Sequence, residues 1–211
     1  MLNKQGFDLW AGKYDQTVQT SEENNQYPFA GYKEILNAIY TEIMERENSR
    51  VLDIGFGTGA LASKLYENGH QIDGIDFSAE MIAIAKAKMP AANLLEWDIN
   101  DGLPEEIAVK KYDSIASTYA LHHLADAEKV GFIKGLLPLL AEGGKIYIGD
   151  IAFQTRDALE KCRKDSEGYW DEDEHYFVFE EIKAVLKGFC NCAFYPLSHC
   201  GGVIIIHPKA F

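Results

Sequence analysis

Arg50-Val51-Leu52-Asp53-Ile54-Gly55-Phe56-Gly57-Thr58-Gly59-Ala60-Leu61 decides how this chain folds. It opens as a short apolar run with β-branched side chains, which predicts a buried strand. The run then breaks at glycines that admit backbone angles closed to other residues. Thr58 is a favourable N-cap, and Leu61, Ala62 and Leu65 recur at helical spacing, so the order is strand, glycine turn, helix. A helix starting on such a turn offers unpaired N–H groups and a positive dipole end, and side-chain-free glycines let an anionic part of a ligand approach the backbone.

N-terminal to this stretch, Phe7, Trp10, Ala11 and Tyr14 fall on one face of a short helix. A polar connection, Gln19 to Gln26, leads to a second helix near Pro28 with Tyr32, Ile35, Leu36, Ile39 and Ile43 on its inner side. Residues 1–48 are therefore expected to form an N-terminal helical cap. Trp10 and Tyr14 either pack that cap on the body of the domain or lie over a ligand.

On the C-terminal side, Gly69 stops the helix and Gln71 to Asp76 reads as a second strand. Ser78 caps a helix running to about Met89, and a third strand, Ala92 to Trp97, ends beside Asp98. A fourth strand, Tyr112 to Ser117, runs into Thr118-Tyr119-Ala120-Leu121-His122-His123-Leu124. Asp126 is expected to cap the next helix, which continues to Gly143-Gly144 with a kink or early end at Pro138. Lys145 to Asp150 makes a fifth strand. Strands alternating with helices predict right-handed βαβ units in a mostly parallel sheet. Arg156 to Glu167 reads as a polar helix and Glu180 to Leu186 as the last one. Cys192 to Tyr195 and Val203 to His207 are close enough in sequence to form an antiparallel hairpin.

In open α/β sheets ligands bind outside the carboxyl ends of the strands, so Asp53, Asp76 and Asp98 are expected in one crevice. Asp76 falls near the position, roughly 20 residues past a glycine loop, where a carboxylate accepts from both vicinal hydroxyls of a ribose. The loop itself reads two ways. As G-x-G-x-x-G/A, with Ala60 last, it fits a dinucleotide site. As acid-x-Gly-x-Gly-x-Gly, led by Asp53, it resembles motif I of the class I S-adenosylmethionine-dependent methyltransferases. Asp53 favours the second reading, because a carboxylate there repels a pyrophosphate and attracts an ammonium. The dinucleotide reading also lacks a Tyr-x-x-x-Lys pair and room for a separate substrate domain.

The resemblance covers roughly residues 50 to 209. It implies a Rossmann-like three-layer α/β sandwich with a seven-stranded, mostly parallel sheet of order 3-2-1-4-5-7-6 and an antiparallel last strand. It also implies one domain over 1–211, with a cofactor-binding core at 50–150 and substrate-side helices and a closing hairpin at 151–211. The implied cofactor is S-adenosyl-L-methionine. Its site would comprise Gly55, Gly57 and Gly59, Asp53 at the methionine end, Asp76 at the ribose and Asp98 at the adenine amino group. Phe77, Met81 and Ile99 would flank the adenine. The Trp10-Ala11-x-x-Tyr14-Asp15 pattern is similar to that of bacterial small-molecule methyltransferases, which implies a cofactor contact for Tyr14. Tyr119, in the segment that looks like the family's motif IV, is assigned to the cofactor on the same ground.

His122 or His123, at the fourth strand's end, is the candidate general base, having a pKa near working pH. Asp150, Tyr169, Trp170 and Tyr176, with Trp10, are candidates for the acceptor pocket. The acidic run Asp171 to Glu174 is read as a solvated face. The segment after the fourth strand is Ser117-Thr118-Tyr119-Ala120, where amino-methylases of DNA carry Asn/Asp-Pro-Pro-Tyr, and no Pro-Cys pair of the cytosine C5 type occurs. A rival with the same crevice is a protein that binds S-adenosylmethionine or S-adenosylhomocysteine without turning it over.

Composition narrows the partners. The 211 residues are 47% hydrophobic and 25% charged, an ordinary globular balance. A formal net charge of -13 argues against nucleic acid or an anionic membrane and for a small-molecule substrate. No apolar stretch approaches the roughly 20 residues of a membrane span, and the N-terminus leads into no signal-like core, so a cytoplasmic protein is expected. Cys190 and Cys192 share a strand face near His199 and Cys200, but no C-x2-C spacing occurs, so buried strand residues rather than a metal site are expected.

Overall fold

The computed structural model describes residues 26–209. The expected first helix, with Trp10 and Tyr14, lies outside the described residues. The described chain starts with α1 (Tyr32–Met44) and then alternates β1 (Arg50–Ile54), α2 (Ala62–Glu67), β2 (Gln71–Asp76), α3 (Ala79–Lys88) and β3 (Asn93–Glu96). There follow α4 (Glu105–Ala108), β4 (Tyr112–Thr118), α5 (Asp126–Leu136), β5 (Leu140–Phe153) and α6 (Arg156–Asp165). β6 (Phe177–Val178), α7 (Phe179–Leu186), β7 (Cys190–Pro196) and β8 (Gly201–Pro208) close the fold.

The main sheet runs β3-β2-β1-β4-β5-β8-β7. The first five strands in that order are mutually parallel, and β8 is antiparallel to both β5 and β7. This is the expected order, with one strand more: the two-residue β6 pairs parallel with the end of β5, Ala152 opposite Phe177 and Phe153 opposite Val178. Two residues carry no readable period, so the sequence could not announce it.

Alternating side chains feed two cores. Val51, Ala116 and Tyr147 meet α1, α2, α3 and α6 on one face. Leu52, Ile115 and Ile146 meet α4, α5 and α7 on the other. Both faces of the sheet are thus covered, as a parallel sheet requires.

Two expected caps are corrected. The glycine turn runs one turn further than expected, so α2 begins after Leu61, while Thr58 is buried in the turn and its carbonyl accepts from Lys88 Nζ at 2.8 Å. α5 has Ala125 at its N-cap, and the Glu128 carboxylate accepts the Ala125 N–H at 2.9 Å; Asp126 is the first helical residue. α5 ends before Pro138 as expected, but the chain then enters β5 at Leu140 rather than continuing as helix to Gly143. Among the described residues no helix is long and apolar enough to cross a membrane.

Candidate active site

The first part of the candidate site is built by β1, β2 and the loops after them. Gly55, Gly57 and Gly59 all have positive φ (67°, 55° and 79°). At Gly55 a Cβ would stand 2.3 Å from the Ala120 Cβ, so the glycine lets the tip of β4 close onto the loop. At Gly57 a Cβ would meet nothing within 4 Å among the described residues, so none of them fills that face of the loop. The Gly57 N–H donates to Asp76 Oδ2 at 2.8 Å and the Ser78 N–H to Asp76 Oδ1 at 2.9 Å. Asp76 therefore fixes the loop through both carboxylate oxygens.

Asp53 is 1% exposed, and its Oδ1 has no hydrogen-bond partner among the described residues. Burial, and then the nearby charge of Asp76, pushes its carboxyl up to about 7. A buried acid without a donor is costly to ionise. A cation bearing N–H donors supplies what it lacks, so the residues present fit an ammonium-bearing ligand. Met81 is buried and its N–H donates to Ser78 Oγ at 3.2 Å; Phe77 and Ile99 are half-buried. Asp98 is exposed and caps a single 3-10 turn, Oδ1 accepting from Asn100 N at 2.9 Å and Nδ2 at 2.8 Å. Tyr119 adopts a positive φ of 51° and its ring packs against Phe29 and Tyr32, centroids 5.3 and 5.2 Å away.

A second cluster of buried polar side chains gathers around β4 and β5. His122 Nδ1 lies 2.6 Å from Asp150 Oδ1, which also accepts the Ile151 N–H at 2.8 Å. Asp150 is fully buried, and its Oδ2 has no partner among the described residues. An ionised carboxylate only accepts, so Nδ1 carries the proton and Nε2 faces the other way. There Glu174 Oε1 stands 3.6 Å from His122 Nε2 and 3.9 Å from His123 Nδ1. Burial opposes the imidazolium of His122, but the charge and hydrogen bond of Asp150, then Glu174, outweigh it and hold its pKa above the ordinary value. Burial and the neighbouring His122 push His123 down to about 3.

Glu174 thus corrects the reading of 171–174 as solvated. The backbone places it: the His175 N–H donates to the His122 carbonyl at 2.8 Å, β6 ties the next residues to β5, and Lys129 Nζ donates to the His175 carbonyl. The Tyr176 hydroxyl donates to Glu174 Oε2 at 2.8 Å and pairs with the Tyr27 hydroxyl. Trp170 stacks on Tyr27 (5.2 Å, 15°) and meets Tyr176 edge-on (4.8 Å, 89°). Tyr169, expected in this wall, is 83% exposed and stands outside it. Tyr27 and Glu174 were missed because their signal lies in pairings distant in sequence. A lone tyrosine before a proline and one acid in a run of four look like nothing in particular.

Fold and site together define an α/β methyltransferase. A solved structure of DhpI with S-adenosylhomocysteine shares the fold over 99% of this chain and 96% of its own, with a TM-score of 0.69 at 18% identity. The magnesium protoporphyrin IX methyltransferase of Synechocystis, also solved with S-adenosylhomocysteine, does so over 86% and 85%, with a TM-score of 0.66 at 17% identity. A family model described as a methyltransferase domain matches residues 51–144. An uncharacterized methyltransferase of Anoxybacillus flavithermus is 39% identical over 155 residues, 73% of this chain and 69% of that protein. The chain belongs to the methyltransferase family. The dinucleotide reading of the glycine loop falls with that assignment.

Proposed function

We propose that the protein transfers the methyl group of S-adenosylmethionine to a small-molecule acceptor, with His122 taking the acceptor's proton. The observation that carries this reading is the buried His122–Asp150 pair, at 2.6 Å, beside the strand tips that hold the orphaned Asp53. S-adenosylmethionine supplies a methyl group already activated by its sulfonium charge. The chain's task is then to position, to exclude water and to move one proton.

In this reading Asp53 holds the ammonium of the methionine part, Asp76 the ribose hydroxyls and Asp98 the adenine amino group. The open face of Gly57 lets the ligand reach the loop, and Phe77, Met81 and Ile99 flank the base. Tyr14, Trp10 and Tyr119 are carried over from the family resemblance as further contacts. Asp150 fixes the tautomer of His122 so that Nε2 faces the acceptor side, where Tyr176 and Trp170 form the wall. His123, whose pKa is driven down, stays neutral beside it. The net charge of -13 and the absence of an Asn/Asp-Pro-Pro-Tyr segment support a small acceptor over a nucleic acid, as does the small substrate named for the Synechocystis protein.

The test is S-adenosylhomocysteine release with fractionated metabolite extracts. Release that requires an added fraction and is lost in His122→Ala supports the reading. Tight cofactor binding with no release in any fraction supports the sensor instead, and unaltered kcat/KM in both His122→Ala and His123→Ala removes the base.

A further inference from the structure

Three side chains on the acceptor side turn one ligand atom each toward a common point. They are His122 Nε2, His123 Nδ1 and Glu174 Oε1, all within 4.8 Å of one another, with the two nitrogens 3.6 and 3.9 Å from the oxygen. A tetrahedral zinc-class ion with bonds of about 2.0–2.2 Å holds its ligand atoms roughly 3.4 Å apart. The two nitrogen–oxygen separations, 3.6 and 3.9 Å, are close to that spacing, and the two nitrogens, within 4.8 Å of each other, must draw together on binding. Two imidazoles and one carboxylate are also the donor set of three-ligand sites that keep a fourth position open.

The surroundings have the character of a supporting shell. A ligating histidine commonly donates its other N–H to a carboxylate, which orients the ring and raises its basicity, and Asp150 does this for His122 at 2.6 Å. Glu174 is itself held, by the Tyr176 hydroxyl at 2.8 Å. Asp150 and Glu174 place two carboxylates around one imidazole, a charge balance that a divalent cation improves. Access exists as well: the side chains of His123 and Glu174 are 20% and 17% exposed, whereas Asp150 is sealed behind His122.

The geometry points to a divalent transition-metal site of the zinc class at His122 Nε2, His123 Nδ1 and Glu174 Oε1, with Asp150 as the carboxylate behind His122. The expectation of no metal rests on the cysteines near the C-terminus, which lack a C-x2-C spacing; it leaves out this trio, whose third member lies 51 residues past His123 (174 − 123) and outside any short spacing pattern. A metal on Nε2 occupies the lone pair that would take the acceptor's proton. Occupancy and base catalysis therefore exclude one another, a consequence that rests on the proposed base role while the site itself does not.

The test is titration of the metal-stripped, full-length protein with Co(II), followed by its visible d–d bands, and with Zn(II) by calorimetry. One equivalent is expected to bind with the intense bands of a four-coordinate centre. Asp150→Asn should weaken binding about 10- to 100-fold, and His123→Ala and Glu174→Gln should each reduce it to background. The C190S/C192S protein should bind like the parent, since that thiol pair, with Sγ atoms 3.7 Å apart, is the competing soft-metal candidate. Absence of one-equivalent binding, full binding in both His123→Ala and Glu174→Gln, or loss of binding in C190S/C192S overturns the site. Zinc that binds without slowing turnover leaves the site standing and removes the base. No binding together with an inactive His122→Ala does the reverse.

Discussion

The two halves proposed for this crevice, donor and acceptor, hold their buried acids differently. On the donor side Asp53 is sealed at 1% exposure with an orphaned oxygen and a carboxyl raised to about 7. On the acceptor side Asp150 is equally buried and its Oδ2 is likewise without a partner among the described residues, but its Oδ1 is bonded to an imidazole and a backbone N–H. The first acid is incomplete without a ligand. The second is already engaged in orienting a neighbour. Binding affinity should therefore depend on the donor side and turnover on the acceptor side, and substitutions can separate the two.

The largest expected effect is on turnover. His122→Ala should lower kcat by about 10²- to 10⁴-fold, the range of a positioned general base, while calorimetry shows S-adenosylmethionine affinity within a factor of two or so of the parent. A variant that instead loses cofactor affinity and keeps kcat would mean the two halves are not separable as drawn.

Next comes Asp53→Asn, which should weaken cofactor binding by about 10- to 100-fold, the worth of a charge-assisted hydrogen bond. Its effect on the ligand-free protein runs the other way. The Asp53 carboxyl titrates near 3.9 when unfolded and at about 7 when folded, so between these values the native state binds more protons. Stability then falls as pH rises through that window, by up to about 4 kcal/mol at pH 8. Asp53→Asn should flatten the slope and raise Tm above pH 7. Equal pH dependence of Tm in variant and parent would show that Asp53 is ionised in the free protein. Binding to the parent should correspondingly weaken as pH drops below 7, because the cation needs the carboxylate.

The same contrast explains what the sequence disclosed. The donor half was legible because its parts are local: a strand, glycines at alternate positions and acids at successive strand ends all sit in one continuous stretch. The sheet order followed from the alternation of elements. The acceptor half is assembled across the chain. Asp150 meets His122 from the neighbouring strand, Glu174 arrives on a loop pinned by a two-residue strand, and Tyr27 reaches Tyr176 from before α1. No periodicity encodes such contacts, so the histidines were named while their partner Glu174 was assigned to solvent. Thr58 failed as a cap for a related reason: its identity suits the role, but the length of the glycine turn decides where a helix starts.

A smaller effect tests the open face of the loop. Gly57→Ala meets no atom of the described residues within 4 Å but must hold a φ of 55°, which costs about 1–2 kcal/mol for an L-residue. If the ligand approaches there, affinity should drop by more than this modest loss of stability accounts for. Thermal unfolding with and without S-adenosylhomocysteine separates the two. A variant destabilised equally in both states would place the ligand away from Gly57.

The smallest expected effect compares two adjacent aromatics that the sequence could not tell apart. Tyr169 is 83% exposed, so Tyr169→Ala should shift stability by no more than about 0.5 kcal/mol and leave kcat/KM unchanged. Trp170 is half-buried, stacked on Tyr27 and set edge-on to Tyr176, whose hydroxyl holds Glu174. Its removal takes away aromatic contacts worth about 0.5–1.5 kcal/mol each beyond burial, and with them the restraint on the Tyr176 ring. Trp170→Ala should therefore lower Tm and raise KM for the acceptor, with S-adenosylmethionine affinity unaltered. Matched behaviour of the two variants would mean that the aromatic wall ends before Trp170 and that Tyr176 alone bounds the acceptor.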